Sequence, residues 1–203
     1  MLPEPPFANL PDLDTPRLHL RRVRPEDAAD LFAFASDPLV TRYITWPTHR
    51  TLDDSRALIA RFLAGYARGA ATPWGIEHKT DGRLIGACGF TNAAPAHARA
   101  EVIYTLARPY WGHGYMPEAV RAALAYGFDA LGLNRIEAGC LVENAASARV
   151  LEKVGMTFEG VLREYLEIKG ARCTLKQYAI LRRDWRAPDG NLLESANAHP
   201  PGA

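Results

Sequence analysis

Two glycines separated by a single residue, Gly112 and Gly114, lie between a strand-like segment and a long amphipathic helical pattern. Glycine adopts positive φ without steric cost and lets the backbone come close to a ligand. A helix that begins directly after such a turn points unpaired N–H groups and the positive end of its dipole into the turn. Residues 108–119 therefore fit an anion-binding turn. Taken alone, the same two glycines would also fit an ordinary strand-to-helix turn.

A second segment, residues 144–156, has the pattern of a short helix that begins at Asn144 and ends at Gly155. An Asn at a helix start and a Ser one turn later, here Ser147, are ordinary capping residues, and a ligand-binding role is the alternative. The chain has no third glycine at dinucleotide-fold spacing and no Gly-Lys-Ser/Thr step. Neither a Rossmann nor a Walker phosphate site is therefore indicated.

The hydrophobic periodicity along the chain predicts an α/β domain in which a mixed, mostly antiparallel sheet carries helices on both faces. Strands are expected over residues 15–21, 74–78, 84–90, 100–106, 135–142, 158–168 and 173–181. Helices are expected from Pro25 to about residue 37, from Thr51 to near Gly69, over residues 116–131, and from Asn144 to Gly155. Residues 92–97 read as a polar loop, and Glu118 is expected on the solvent stripe of the third helix.

Composition limits the classes of protein that are possible. The chain has 203 residues, 48% hydrophobic content and a formal net charge of +1, which suit one well-buried core and argue against a general polyanion-binding surface. Residues 1–13 and 186–203 read as disordered arms around a domain of residues 14–185. The three cysteines are far apart, so neither a disulfide framework nor a metal site is expected. We expect a cytoplasmic protein, with no partner among nucleic acids or membranes.

Four segments in this order resemble the GCN5-related N-acetyltransferases (GNAT), and among them the RimJ/RimL-like ribosomal-protein N-terminal acetyltransferases. Residues 15–21 resemble the first strand of that subgroup, and residues 100–106 the strand before its pyrophosphate loop. Asn144 and Ser147 followed by residues 151–156 resemble its second cofactor motif, and residues 159–164 its late hairpin. The resemblance covers roughly residues 14–185.

The resemblance implies that acetyl-CoA is the acyl donor, with its pyrophosphate on the backbone N–H groups of about residues 111–117. His113, between the two glycines, is a candidate to add charge there. Arg149 and Lys153, four residues apart on one helix, are candidates for the 3′-phosphate, and a solvated helix face is the alternative. The expected cofactor-binding residues are Thr105, Leu106, Trp111, Gly112, His113, Gly114, Tyr115, Met116, Asn144, Ser147 and Arg149.

For catalysis, the resemblance implies that Ser147 returns a proton to the departing thiolate, with Tyr104 and Tyr110 as rivals for the same step. Glu101, which begins the strand before the glycine turn, is the candidate base, acting through water. A solvated strand residue is the alternative for Glu101. Other carboxylates that could serve instead are Glu164 and Glu167, whereas Cys88 and Cys140 suit a core better than an acyl-carrying role.

The predicted reaction is therefore transfer of an acetyl group from acetyl-CoA to a primary amine, most simply a protein N-terminal α-amine, by direct attack in a ternary complex. An α-amine of pKa about 7.7–8 is free roughly one time in ten at pH 7, whereas a lysine of pKa about 10.4 is free less than one time in a thousand. The alternatives are a small-molecule or antibiotic acetyltransferase and, in another class, a non-catalytic acyl-CoA-binding module. A homodimer is compatible with the sequence.

Overall fold

The computed structural model describes residue 7 and residues 10–186. This part of the chain contains eight strands and five α-helices. The strands are β1 Leu13–Asp14, β2 Leu18–Arg21, β3 Trp74–His78, β4 Arg83–Ala94, β5 Arg99–Leu106, β6 Arg135–Leu141, β7 Thr157–Ile168 and β8 Ala171–Leu181. The helices are α1 Ala28–Ala35, α2 Pro38–Thr41, α3 Leu52–Ala67, α4 Tyr115–Asp129 and α5 Ala145–Lys153.

The strands form a single sheet in the order β1-β2-β3-β4-β5-β6-β8-β7. All neighbours are antiparallel except β5 and β6, which run parallel. A parallel pair needs a crossover connection, and α4 provides it. This is the mixed, mostly antiparallel sheet that the sequence predicted, with β6 to β8 forming the second half.

Helices cover both faces of the sheet, as predicted. On the α4 side, the fully buried Trp74 packs edge-to-face on Tyr126 of α4, with ring centroids 5.4 Å apart. On the opposite side lies α1, where Asp30 accepts a hydrogen bond from the backbone N–H of Leu84 at 3.0 Å, and α3 packs on α1. The main core lies between the sheet and these helices, because successive side chains of a strand point to opposite faces of the sheet.

Local sequence signals explain most of the element boundaries. Thr51 caps α3, and Asp54 hydrogen-bonds back to it in a capping box, while Gly69 follows the helix end at a φ of +62°. The predicted polar loop over residues 92–97 is only partly correct, because β4 continues to Ala94 and includes Asn92. The short helix α2, capped by the carboxylate of Asp37, was not predicted.

The predicted N-terminal arm, residues 1–13, includes residues that belong to the folded domain. Phe7, Leu10 and Leu13 are buried in the main core, and Leu13 also lies in β1. These apolar side chains lie in a proline-rich segment. A prediction from composition alone therefore did not show that they are buried. Of the predicted C-terminal arm, residues 187–203 lie outside the described residues.

Candidate active site

The two parallel strands separate partway along their length. β5 and β6 pair only from Arg99 with Arg135 to Glu101 with Glu137. Beyond this point each strand keeps only its outer neighbour, β4 for β5 and β8 for β6. The sheet therefore opens between residues 102–106 and residues 138–141, and α4 and α5 begin at the end of this opening. Ligands of α/β sheets bind at such carboxyl ends of parallel strands.

The start of α4 presents unpaired backbone N–H groups. Gly112 and Gly114 both have a φ of +81°, and Gly114 occupies the N-cap position, where no side chain caps the helix. Among the described residues, the N–H groups of residues 112–116 have no acceptor, whereas the N–H of Trp111 donates to the carbonyl of Arg108 at 3.1 Å. We call residues 112–116 the amide loop. Five consecutive free N–H groups at a helix start form a concavity suited to an anion.

Aromatic side chains surround the amide loop. The indole Nε1–H of Trp111 donates to the carbonyl of Leu106 at 2.7 Å, although 45% of the residue remains exposed. His113 stacks on Tyr115 with ring centroids 5.9 Å apart, and the Tyr115 hydroxyl lies 3.0 Å from Nε2 of His78. Met116 points into the core. Trp111 therefore joins the last residue of β5 to the loop that follows it.

The start of α5 places a pair of hydroxyl groups beside the opening. Asn144 caps the helix, since its Oδ1 accepts the N–H of Ser147 at 3.1 Å. The Ser147 Oγ lies 2.8 Å from the hydroxyl of Tyr104, which also donates to the Ser147 carbonyl at 3.2 Å. Burial raises the pKa of Tyr104, and the hydrogen bond with Ser147 offsets this only in part, so the phenol stays protonated. Arg149 lies exposed on the next turn.

Glu101 lies on the other face of the sheet from this hydroxyl pair, because it precedes Tyr104 by three positions in β5 and successive side chains of a strand point to opposite faces. Its Oε2 accepts a hydrogen bond from Nδ2 of Asn92 at 2.6 Å. A Cβ placed on Gly139 of β6 would lie 3.1 Å from Cδ1 of Leu175, 3.7 Å from Oε1 of Glu101 and 3.9 Å from Oε1 of Gln177. Gly139 therefore lies beside the Glu101 carboxylate, and Leu175 packs closely against it.

Several alternative catalytic candidates lie elsewhere. The Tyr110 hydroxyl donates to Asp81 at 2.5 Å, and this hydrogen bond, together with burial, raises the pKa of Tyr110 to about 12. Glu164 pairs with Arg172 at 3.2 Å on the exposed β7–β8 hairpin, and Glu167 is exposed on the same strand. Of these residues, the structure joins none to the Tyr104–Ser147 pair.

The cysteines of the sheet are core residues. Cys88 and Cys140 are both buried, and burial raises the pKa of each thiol. The thiolate is the nucleophilic form of cysteine, so a raised pKa makes both side chains poor nucleophiles. This agrees with the prediction that they fill space in the core.

Two residues beside the candidate base were missed by the sequence analysis. Asn92 was assigned to a loop and Gln177 was not singled out, yet both lie beside the Glu101 carboxylate. Alternation does not mark the first, because Asn92 directly follows Thr91, the partner of Glu101, and reaches Glu101 only at a register shift of the β4–β5 pairing, with a φ of +45°. No local signal marks Gln177, because its position depends on how β8 pairs with β6.

Comparison with known proteins identifies the class of this protein. Residues 17–157 match the family model described as the acetyltransferase (GNAT) domain, so the chain belongs to the GNAT family of N-acetyltransferases. The uncharacterized N-acetyltransferase YoaA of Bacillus subtilis (strain 168) is 37% identical over 172 residues, which are 85% of this chain and 97% of YoaA.

Two further similarities concern proteins named for ribosomal proteins or for RimJ. The [ribosomal protein uS5]-alanine N-acetyltransferase of Escherichia coli (strain K12) is 26% identical over 85% of this chain and 92% of its own length. The structure of Mycobacterium smegmatis RimJ in complex with CoA-disulfide superposes with a TM-score of 0.73 at 28% identity, covering 84% of this chain and 85% of that one. The RimJ-like resemblance seen in the sequence is thereby confirmed.

Two further properties concern only the part of the chain that the structure describes. Within residue 7 and residues 10–186, no helix has both the length and the apolar character that crossing a membrane requires. In the same residues, no group of three or more His, Cys, Asp or Glu side chains is arranged to hold a metal ion.

Proposed function

We propose that this protein transfers the acetyl group of acetyl-CoA to the α-amine of a protein N-terminus, by direct attack in a ternary complex. The observation that carries the proposal is the pair of helix starts at the β5–β6 opening. One start presents five free N–H groups, and the other presents the Tyr104–Ser147 hydroxyl pair. The CoA-disulfide bound to M. smegmatis RimJ and the name of the E. coli relative, a [ribosomal protein uS5]-alanine N-acetyltransferase, support the choice of donor and acceptor.

The amide loop suits the pyrophosphate of the donor. A helix start contributes typically about 0.3–1 kcal/mol toward an anion and up to about 2 kcal/mol when partly buried. Hydrogen bonds from the N–H groups of residues 112–116 add to this, and Pro117, which has no N–H, marks where the series ends. Oδ1 of Asn144 is committed to the helix cap, which leaves its Nδ2–H groups for the pantetheine arm. Arg149 is the candidate cation for the 3′-phosphate.

Tyr104 and Ser147 act together on the leaving group in this proposal. A hydroxyl in the pair donates a hydrogen bond to the sulfur as the C–S bond breaks, and the pair then supplies the proton that converts the thiolate to a thiol. Their mutual hydrogen bond of 2.8 Å lets either group be the donor, and solvent restores the proton.

Glu101 is the base in this proposal: through water it removes the proton that the acceptor amine carries before attack, and the proton that the nitrogen sheds after attack passes to solvent. Asn92 holds the carboxylate in place, and Gly139 on the neighbouring strand puts no side chain beside it. An α-amine demands little of such a base, because roughly one in ten is already free at pH 7. Buried, protonated Cys88 and Cys140 favour direct attack over an acyl-cysteine route.

The pH–rate profile of Glu101→Gln tests this assignment. We expect turnover to fall about 10²-fold at pH 7, the lower end of the usual range for a general base, because water partly substitutes for the carboxylate. The deficit should shrink at high pH, where the amine loses its proton without help. An unchanged profile with a near-normal rate would move the base to Glu164, Glu167 or solvent. Gln177→Ala, which alters the same face without removing a carboxylate, is the matched control.

A further inference from the structure

Both carboxylate oxygens of Glu118, in the first turn of α4, accept hydrogen bonds from the segment that leads into β2. Its Oε1 accepts the hydroxyl of Thr15 at 2.6 Å and the backbone N–H of Arg17 at 2.9 Å. Its Oε2 accepts Nε–H of Arg17 at 2.7 Å and lies 2.6 Å from Nη2 of the same side chain. The sequence predicted that Glu118 would lie on a solvated stripe of α4, and this is wrong. Nε and Nη2 of Arg17 thus contact the same oxygen, and charge-assisted hydrogen bonds of this kind are roughly twice as strong as neutral ones.

The same arginine also holds the amide loop. Nη1 of Arg17 donates to the carbonyl of His113 at 2.9 Å, and its guanidinium lies 4.4 Å from the centre of the Tyr115 ring. Its Nη2 is the nearest atom, at 3.5 Å, to the position that a Cβ on Gly114 would occupy. One side chain from a segment almost a hundred residues earlier therefore contacts His113 and Tyr115 and lies beside Gly114 between them.

The direction of the His113 carbonyl decides the direction of an N–H group. In a trans peptide the C=O of one residue and the N–H of the next point in opposite directions. Because Arg17 binds the His113 carbonyl, the Gly114 N–H points away from Arg17. The carbonyl oxygen, which would repel an anion, is turned away from the concavity at the same time.

A loop with two glycines at positive φ loses more conformational freedom on ordering than other loops, because glycine is the most flexible residue. A ligand that binds only the ordered loop has an apparent affinity reduced in proportion to the fraction of time that the loop is ordered. Contacts that hold the loop in the competent form before the ligand arrives therefore raise affinity without touching the ligand.

We propose that Arg17, held by Glu118, is a positioning residue that fixes the amide loop in its anion-binding form, and so sets the affinity for the pyrophosphate-containing donor. We call these two residues the Arg17–Glu118 brace. The inference rests on the proposed use of acetyl-CoA. Arg17 acts through the His113 carbonyl, on the opposite side of the peptide from the N–H groups.

Two acyl donors separate this role from a general structural one. Acetyl-CoA has the pyrophosphate, whereas S-acetylpantetheine has the same thioester and pantetheine arm without it. For Arg17→Met we expect the Kd and KM for acetyl-CoA to rise about tenfold or more, since hydrogen bonds to charged groups are among the stronger ones. The value of kcat, and the kcat/KM for S-acetylpantetheine, should stay close to those of the wild type. Arg17→Lys, which keeps the charge and one donor, should recover part of the affinity.

Arg99→Met is the matched control. Arg99 is exposed to a similar degree, 42% against 44% for Arg17, and pairs at 3.0 Å with a half-buried carboxylate, that of Glu137. It lies at the start of β5, at the opposite end of that strand from the amide loop. This variant should bind both donors like the wild type.

Equal losses with both donors would make Arg17 a structural residue and overturn the proposal, and so would unchanged affinity for acetyl-CoA. If Arg17→Met fails to fold, Arg17→Lys and Glu118→Gln decide by the same ratio of the two donors. Calorimetric titration of the wild type with CoA comes first, because a wild type that does not bind CoA overturns the proposed function and the brace with it. A wild type that binds CoA, with variants that bind equally well, overturns the brace alone.

Discussion

Two helices begin at the same opening of the sheet, and their first turns are completed in opposite ways. At α5 the side chain of Asn144 satisfies the N–H of Ser147, and the turn serves to hold a serine against Tyr104. At α4 no side chain caps Gly114, and the N–H groups of residues 112–116 lack acceptors among the residues that the structure describes.

Since helix starts in folded proteins usually find partners for their first N–H groups, the difference is informative. The start of α5 has a side-chain cap within the protein, although the N–H groups of Ala145 and Ala146 have no acceptor among the described residues, and its proposed function depends on side-chain hydroxyls. The start of α4 has no such cap, and Arg17 contacts it through the carbonyl of His113. The proposed function assigns donor binding and leaving-group chemistry to these two separate turns, and substitutions should separate them.

The largest effect is expected at Gly114. Replacement by Val puts a β-branched residue at a φ of +81°, which should cost about 1–3 kcal/mol of unfolding free energy and distort the amide loop. We expect the variant to fold but to lose the thermal stabilisation by acetyl-CoA, which for the wild type is about 2.7 kcal/mol at a hundred times Kd.

Gly132→Val is the control for this prediction. Gly132 has a φ of +64° and no atoms within 4 Å of an added Cβ, and it follows the far end of α4. It should lose similar stability and still respond to acetyl-CoA. Equal binding by the two variants would mean that the turn at Gly114 is only a turn.

The second effect is expected at the hydroxyl pair. Tyr104→Phe and Ser147→Ala should each lower kcat about 10²-fold and leave the Kd for CoA almost unchanged, because the pair acts after attack. The double variant should lose little more than either single one, since both hydroxyls belong to one unit. Rapid-mixing measurements of thiol release, with Tyr126→Phe as a control for loss of a buried phenol, check this. Additive losses would contradict a shared role.

The smallest effect is expected at Asn144. Asn144→Ala should lose about 1 kcal/mol of stability, the usual cost of a missing cap. Asn144→Asp keeps an oxygen for the Ser147 N–H but removes the amide donor, so we expect normal stability and a KM for acetyl-CoA raised about three- to tenfold. Thermal melts and initial rates on the two variants check this. A wild-type KM in Asn144→Asp would limit the residue to its cap.

How far the sequence could predict this arrangement depends on the range of the interactions. The starts of α3 and α5 were predictable, because Thr51 with Asp54 and Asn144 with Ser147 form their bonds within one turn. The turn that Gly112 and Gly114 form before α4 was predictable for the same reason. Each of these signals lies within a few residues of the structure that it specifies.

The residues whose positions the sequence did not predict are placed by contacts between distant segments. Glu118 is turned from solvent by Arg17, which is 101 residues away, and Asn92 is brought to Glu101 by the pairing of β4 with β5. Phe7 and Leu10 are buried although the composition around them suggests an arm. A single sequence holds no local pattern for such pairs, because they depend on the order of strands in the sheet.

Acetylation of a matched pair of peptides tests the central claim most directly. Both peptides begin with alanine and contain one lysine, and one of them has its α-amine blocked. With acetyl-CoA and the wild-type protein, the account predicts thiol release and a mass increase on the α-amine of the free peptide, and neither with the blocked one. Equal acetylation of the blocked peptide on lysine, or thiol release only with small amines, would contradict an α-amine acceptor. The absence of thiol release with every amine, despite CoA binding, would contradict catalysis itself.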